Sequence, residues 1–236
     1  MSLQFIVGNS GSGKSSYIYN HIIQESIANP QKQYIIIVPE QFTMSTQKRL
    51  VMMHPKHAIM NIDILSFNRL AYRVFEELGT DTLEVLQDTG KSLLIRKVAQ
   101  ERRDELDVLS RNMNRAGYVD QVKSLISEFE QYNISPADLR QIIETSDIGG
   151  AFEYKAKDML CIYEAYEQKK ADKYITTEQL LGKLQEVITE SNIVRDAEIV
   201  FDGFTGFTPV QNELLKVMIP LCSKAYFVAP ASYLTL

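Results

Sequence analysis

Eight residues near the N-terminus, Gly8-Asn9-Ser10-Gly11-Ser12-Gly13-Lys14-Ser15, limit the folds open to this chain more than any other feature. They fill the pattern GxxxxGK[ST] and lie between a strand-like run from Gln4 to Val7 and a helix-like run from about Lys14 to Ala28. Chemistry dictates the residue types. Glycines let backbone N–H groups turn inward and approach phosphate oxygens without a Cβ clash. The N-terminus of the following helix adds free donors and partial positive charge. Lys14 is expected to reach the β- and γ-phosphates of a nucleoside triphosphate, and the Ser15 hydroxyl to ligate Mg²⁺. The bland alternative is a glycine-rich strand–helix turn that binds nothing, and eight matched positions in the right context speak against it.

The rest of the chain fits an α/β core around that turn. Tyr34-Ile35-Ile36-Ile37-Val38 is unbroken apolar and β-branched, as expected of a strand covered on both faces. A helix is expected from Thr43 to Met53 and a strand near Ile59 to Leu65. Strands alternating with helices at this spacing predict a parallel sheet. From Ser66 the pattern changes to successive amphipathic stretches: Ser66 to Leu78, Asp88 to Arg103, Asn114 to Tyr132, Ser135 to Thr145, Ala151 to Lys170 and Thr176 to Glu190. Ser135 before Pro136, and Thr176 with Gln179 three residues on, read as helix caps. No convincing strand stands among them. After Asp196 the alternation returns, with a strand at Ala197 to Asp202, a helix at Pro209 to Ile219 and a strand at Ala225 to Val228. The fold class expected is a three-layer P-loop NTPase core with a parallel sheet, interrupted by an all-helical insertion. The domain reading is residues 1–82 and 195–236 for the core and 83–194 for the insertion. The closing string from Ser232 to Leu236 has no evident cap and reads as a chain that stops early.

The second half of a metal site is expected at the end of a buried strand, as an acid after apolar residues. Ile199-Val200-Phe201-Asp202 has that form, so Asp202 is the candidate to hold Mg²⁺ through water; the alternative is a polar residue ending a strand. The usual hydrolytic arrangement has a Glu directly after this Asp. Gly203 stands there, so nucleotide binding is better supported than rapid hydrolysis. A net charge of −5 argues against a generic basic coat for nucleic acid. The charge is uneven: residues 1–80 carry seven Lys/Arg against five Asp/Glu, and residues 104–236 thirteen against twenty-one. A polyanion-binding face is therefore expected in the first hundred residues. Cys161 and Cys222 lie far apart with no CxxC, and His21, His54 and His57 have no metal-binding spacing. The chain lacks a run of about 18 apolar residues and opens without a signal-peptide pattern, so no membrane and a cytoplasmic location are expected.

Several strings together resemble superfamily 1 helicases and, within them, the AddB family. Its members belong to the bacterial ATP-dependent helicase/nuclease that processes double-strand DNA ends for recombination. The strings are Gly8 to Ser15, Val38-Pro39-Glu40-Gln41, Leu65-Ser66-Phe67-Asn68-Arg69-Leu70-Ala71 and Phe201-Asp202-Gly203-Phe204-Thr205-Gly206-Phe207-Thr208-Pro209. The last two are far more specific than the loop. The resemblance covers essentially all of this chain but only the N-terminal part of the longer family subunit. It implies ATP phosphates at Gly8, Asn9, Ser10, Gly11, Ser12, Gly13, Lys14 and Ser15, with Mg²⁺ at Ser15 and Asp202. It also implies single-stranded DNA at two segments, through Gln41, Phe42 and Thr43 and through Ser66, Phe67 and Arg69. Physically, Gln41, Thr43 and Ser66 can donate to phosphates, Arg69 adds charge, and Phe42 or Phe67 can stack on a base; packing is the competing role for each ring. Glu40 is read as a helix-capping acid rather than a group acting on water. An AddA-like partner is implied. The second motor domain, the nuclease domain and the iron–sulfur cluster belong to parts of the family's chain that are absent here. A glutamine that reads adenine in working helicases is missing too, so ATP is chosen over GTP by resemblance alone.

Two rival classes stand beside this reading. A stand-alone P-loop kinase acting on a small molecule predicts an arginine-rich lid, and no arginine cluster stands in the right place. A non-enzymatic scaffold stabilised by nucleotide is compatible with Gly203. Acid-rich helices such as Asp158 to Glu167 read as solvated faces, with docking on a partner protein as the alternative. The tyrosines and leucines of Tyr118 to Leu139 and Leu160 to Tyr174 read as core of the insertion.

Overall fold

The computed structural model describes residues 2–79, 84–110, 113, 115–146, 149–171 and 174–231. In chain order the strands are β1 (Ser2–Gly8), β2 (Tyr34–Ile37), β3 (Ile62–Leu65), β4 (Glu84–Leu86), β5 (Tyr174–Thr176), β6 (Glu198–Phe201) and β7 (Lys224–Pro230). The helices are α1 (Lys14–Ala28), α2 (Thr43–Met53), α3 (Phe67–Leu78), α4 (Asp88–Glu101), α5 (Ala116–Gln131), α6 (Pro136–Thr145), α7 (Ala151–Lys170), α8 (Thr177–Val187) and α9 (Pro209–Met218). They form two compact units. One comprises Met1–Asp81, Leu181–Phe207 and Gln211–Leu236, and the other Thr82–Leu180 and Thr208–Val210. The expected domain junction at residues 82–83, the expected helix start at Asn114 and the terminal string from Ser232 lie outside the described residues.

The first unit is a three-layer α/β fold on a five-stranded sheet in the order β1-β7-β6-β2-β3, with every neighbouring pair parallel. All four residues of β2 are buried, which is why the sequence there is apolar without alternation. Ile18 and Ile22 of α1 and Leu50 of α2 pack with Ile36, Val200 and Tyr226 of the sheet. The strand expected from Ile59 begins only at Ile62. Just before it, the Asn61 amide donates to the carbonyls of Ser26, Asn29 and Lys32 at 3.0–3.3 Å. Asn61 thus ties the α1–β2 turn, and Met60 before it is fully in solvent.

The second unit packs α4, α5, α6 and α7 around Ile95, Val98, Val119, Val122, Ile126, Ile162 and Tyr166. Tyr132, expected within this core, is exposed. Two further sequence expectations need correction. The region is not all-helical, because β4 and β5 pair in parallel, with Val85 opposite Ile175. Each strand has three residues, too few for an alternating pattern to register. Asp158 is not on a solvated face either. It is buried and accepts the backbone N–H groups of Asp107, Val108 and Leu109 at 2.7–2.9 Å, closing a loop that would otherwise leave three donors unpaired. The caps stand as expected. Ser135 and Asp138 form a capping box with Pro136 at the first turn. Thr176 and Gln179 exchange side-chain and backbone hydrogen bonds at 3.3 Å.

Candidate functional site

Because the strands are parallel, the residues following β1, β2, β3 and β6 all emerge at one edge of the sheet. That edge collects the sequence candidates. Gly8 closes β1, and a Cβ there would stand 2.7 Å from the Ser12 hydroxyl oxygen. Gly11 and Gly13 have φ of +76° and +86°, the left-handed region that glycine enters without strain. The turn closes with the Ser12 N–H donating to the Asn9 carbonyl at 3.2 Å. Gly13 is the N-cap of α1 and no side chain caps it, so the first-turn amides keep their donor capacity for an anion. The Lys14 ammonium folds back over the turn, donating to the Gly8 and Asn9 carbonyls at 2.8 Å each. A cradle of glycines, open amides and one ammonium is a donor set that fits a polyphosphate, and Ser15 beside it adds a hydroxyl for a metal ion.

Asp202 follows β6, separated from β1 in the sheet by β7 alone, a spacing of roughly 10 Å. It is 7% exposed, its N–H donates to the Ile37 carbonyl at 3.1 Å, and its Oδ2 accepts the Tyr19 hydroxyl at 2.7 Å. Tyr19 stands one turn after Ser15 on α1. The two hydroxyls therefore share a helix face, and the carboxylate is tied to that face. Burial and the adjacent Asp202 charge push the Tyr19 phenol well above its ordinary range, so it remains a donor. Gly203 comes next with φ +81°, and a Cβ there would approach Phe42 at 3.4 Å and Pro39 at 3.5 Å. A glutamate in this position would meet both the strained backbone and the Phe42 ring.

The two segments expected near DNA lie side by side, since β2 and β3 are neighbours and Ile37 pairs with Leu65. Glu40 joins them. Its carboxylate accepts the Ser66 hydroxyl in a short bond and the Arg69 Nε at 3.0 Å. The expectation of a capping acid therefore fails. Glu40 opens a single 3₁₀ turn, Glu40–Phe42, that no side chain caps, and its charge bridges to α3 instead. The Ser66 oxygen also accepts the Arg69 N–H at 3.3 Å as the N-cap of α3.

Individual candidates fare differently. Gln41 and Arg69 are exposed, and Phe42 is 45% exposed. Thr43 is buried with its hydroxyl donating to the Glu40 carbonyl at 2.9 Å. Phe67 is 4% exposed and packs against Phe201, Phe204 and Phe207 with centroids 5.6–6.3 Å apart. Its ring belongs to the core beneath the sheet edge. Sequence reasoning passed over Tyr19, Arg49 and the bridging role of Glu40. The only signal for Tyr19 was its spacing of four from Ser15. Among the described residues no helix is long and apolar enough to cross a membrane.

A parallel three-layer sheet with a glycine-rich strand–turn–helix at β1 and an acid at the end of β6 defines a class of α/β proteins built to hold a ligand at the carboxyl edge of the strands. The comparison with known proteins is narrower. A family model described as "ADDB, N-terminal" matches residues 5–233, and the chain belongs to that family. Among similar proteins is the B-type chain of an ATP-dependent helicase/deoxyribonuclease of Lachnoclostridium phytofermentans. It is 48% identical over 215 residues, covering 91% of this chain and 19% of that relative. Proteins of the same description from Clostridium tetani and Clostridioides difficile are 34% and 33% identical, covering 94% and 93% of this chain and 20% and 19% of theirs. The chain thus spans about a fifth of the length of the curated relatives it matches.

Proposed function

We propose that this chain is the ATP·Mg²⁺-binding, helicase-like N-terminal domain of an AddB-type polypeptide. In the longer polypeptide it acts with an AddA-like partner on DNA ends during double-strand-break repair and recombination, in the cytoplasm. One observation carries the reading: the Lys14 ammonium and the uncapped start of α1, with Ser15 in its first turn, lie at the edge where Asp202 is held by the same helix. The glycine amides and Lys14 bind and orient the phosphates, exchanging the Gly8 and Asn9 carbonyls for anionic oxygens. Ser15 and Asp202 would hold Mg²⁺, which offsets phosphate charge when bound. Gly203 offers no group to orient water, so slow or absent hydrolysis by this chain is part of the proposal. Gln41, Phe42 and Arg69 are the groups assigned to single-stranded DNA, while Phe67, Thr43 and Ser66 act as their support. Any iron–sulfur cluster or nuclease centre belongs to parts of the longer polypeptide outside this chain.

The test is titration of a fluorescent ATP analogue against the chain and its Lys14→Ala variant. Weakening by at least about tenfold, or ~1.4 kcal/mol, is expected, and equal affinity overturns the assignment. Phosphate release with and without single-stranded DNA then separates a binding domain from a motor. Brisk DNA-stimulated turnover by this chain alone contradicts the reading of Gly203.

A further inference from the structure

Behind the proposed metal-facing carboxylate lies a buried contact that phosphate binding does not use. Tyr19 and Asp202 are 183 residues apart in sequence, yet the phenol donates to Oδ2 at 2.7 Å with both groups out of solvent. A carboxylate held by one oxygen has its second oxygen aimed, because rotation would break the bond that satisfies it. Tyr19 is in turn held from α2. The Arg49 guanidinium lies 5.4 Å above the ring centroid and donates to the Ser16 hydroxyl at 2.6 Å. Helix α2 begins at Thr43, directly after the Glu40–Phe42 turn that Arg69 and Ser66 clasp. A chain of contacts therefore runs from the exposed edge of that turn, through Arg49 and Tyr19, to Asp202.

We infer that Tyr19 is a positioning residue for Mg²⁺ at the nucleotide site: by holding Oδ2 it fixes the direction of the second Asp202 oxygen, and α2 fixes Tyr19. This rests on the nucleotide reading above and adds to it a residue outside the phosphate loop. Groups that orient a metal-facing ligand typically change metal affinity by 10–100-fold when removed; here the ligand acts through water, so the lower end applies.

The experiment measures affinity for the fluorescent ATP analogue as Mg²⁺ is titrated, in the wild-type chain, Tyr19→Phe, Arg49→Gln, Asp202→Asn and Tyr19→Phe/Asp202→Asn. Tyr19→Phe is expected to raise the Mg²⁺ midpoint about tenfold while the Mg²⁺-free affinity stays within about twofold. In the Asp202→Asn background the same change is expected to do nothing further, since the two act as one unit. Arg49 is exposed, so Arg49→Gln keeps the fold and should raise the midpoint about two- to threefold, reading the same device if Tyr19→Phe fails to fold. Equal loss with and without Mg²⁺, or an unchanged midpoint in the folded variants, overturns the inference while the nucleotide site stands. A wild-type chain that gains no affinity from Mg²⁺, or that ignores Lys14→Ala, removes the site itself and this inference with it.

Discussion

The two units bury charge in opposite ways. In the sheet unit, the buried carboxylates stand at the ends of strands, and the counter-charges that meet them reach solvent. Glu198, at the start of β6, accepts from Lys32 at 2.7 Å and Lys224 at 3.1 Å, and both lysines are partly exposed. In the helical unit the ions are inside. Lys170 and Lys91 are 2% and 1% exposed, and they share Glu130 at 2.7 and 3.4 Å, with Glu178 and Glu167 completing the network. The lesson concerns the job of each unit. A sheet whose strands already pair needs no internal ions, and its polar groups are available at the edge for chemistry. The helices of the second unit have no backbone bonds to one another, and a buried network of defined geometry can fix their register. Nothing in that unit points to a catalytic role for these lysines.

The contrast can be broken directly, and the largest effect is expected inside the helical unit. Lys170→Met leaves Glu130 without its nearer counter-charge in a site where burial already pushes that carboxyl up. Urea denaturation should show a loss of about 3–5 kcal/mol. Glu198→Gln in the sheet unit frees two lysines that can turn to water, so about 1 kcal/mol is expected there. A similar loss at both positions would erase the distinction.

Next comes the sheet edge itself. Phe67→Leu should cost about 1–2 kcal/mol and leave single-stranded DNA affinity alone, whereas Phe42→Ala should cost under about 0.5 kcal/mol and weaken that affinity several-fold. The reverse pattern in a DNA titration would make Phe67 the stacking residue. Gly203→Ala, at φ +81° and facing Phe42, is expected to lose about 1 kcal/mol, visible as a lower melting temperature.

The smallest effect is in pH. Burial pushes the Glu198 carboxyl up, but Lys32 and Lys224 outweigh it and hold the group below the usual carboxylate range. A depressed folded value means its contribution is present above the unfolded pKa of about 4.3 and is lost as pH falls toward and through the folded one. Glu198→Gln should therefore flatten the fall in stability of the sheet unit below about pH 4.5, read from amide exchange in β6. An unchanged slope would show that the lysines do not set this carboxyl.

Much of this architecture was legible because the information was local. Glycine spacing marked the turn after β1, the isoleucine run marked β2, and Ser135 with Pro136 marked the start of α6. What escaped is long-range. The partner of Tyr19 lies just past a strand, 183 positions later, and no periodicity announces a hydrogen bond of that kind. No sequence signal marks Lys91 and Lys170 as buried, because lysine usually is not; their burial depends on Glu130 and Glu178, which other helices bring. Asp158 looked like one acid among several until the loop at Asp107–Leu109 folded onto it. Glu40 looked like a cap because acids favour helix starts, whereas the adjacency of β2 and β3 gives it Arg69 instead.

The pairing of the first strand bears on how the molecule is made. Among the described residues β1 pairs only with β7, Ser2 lying opposite Lys224. At about 5–20 residues per second, synthesis needs on the order of 10–45 s to travel between those codons. During that interval the first strand has no neighbour to hydrogen-bond, and the glycine-rich turn attached to it has no fixed place relative to Asp202. If the proposed nucleotide site is right, nascent chains halted before Lys224 should therefore fail to retain nucleotide however well their helices form, because the glycine-rich turn waits on a strand made more than two hundred residues later.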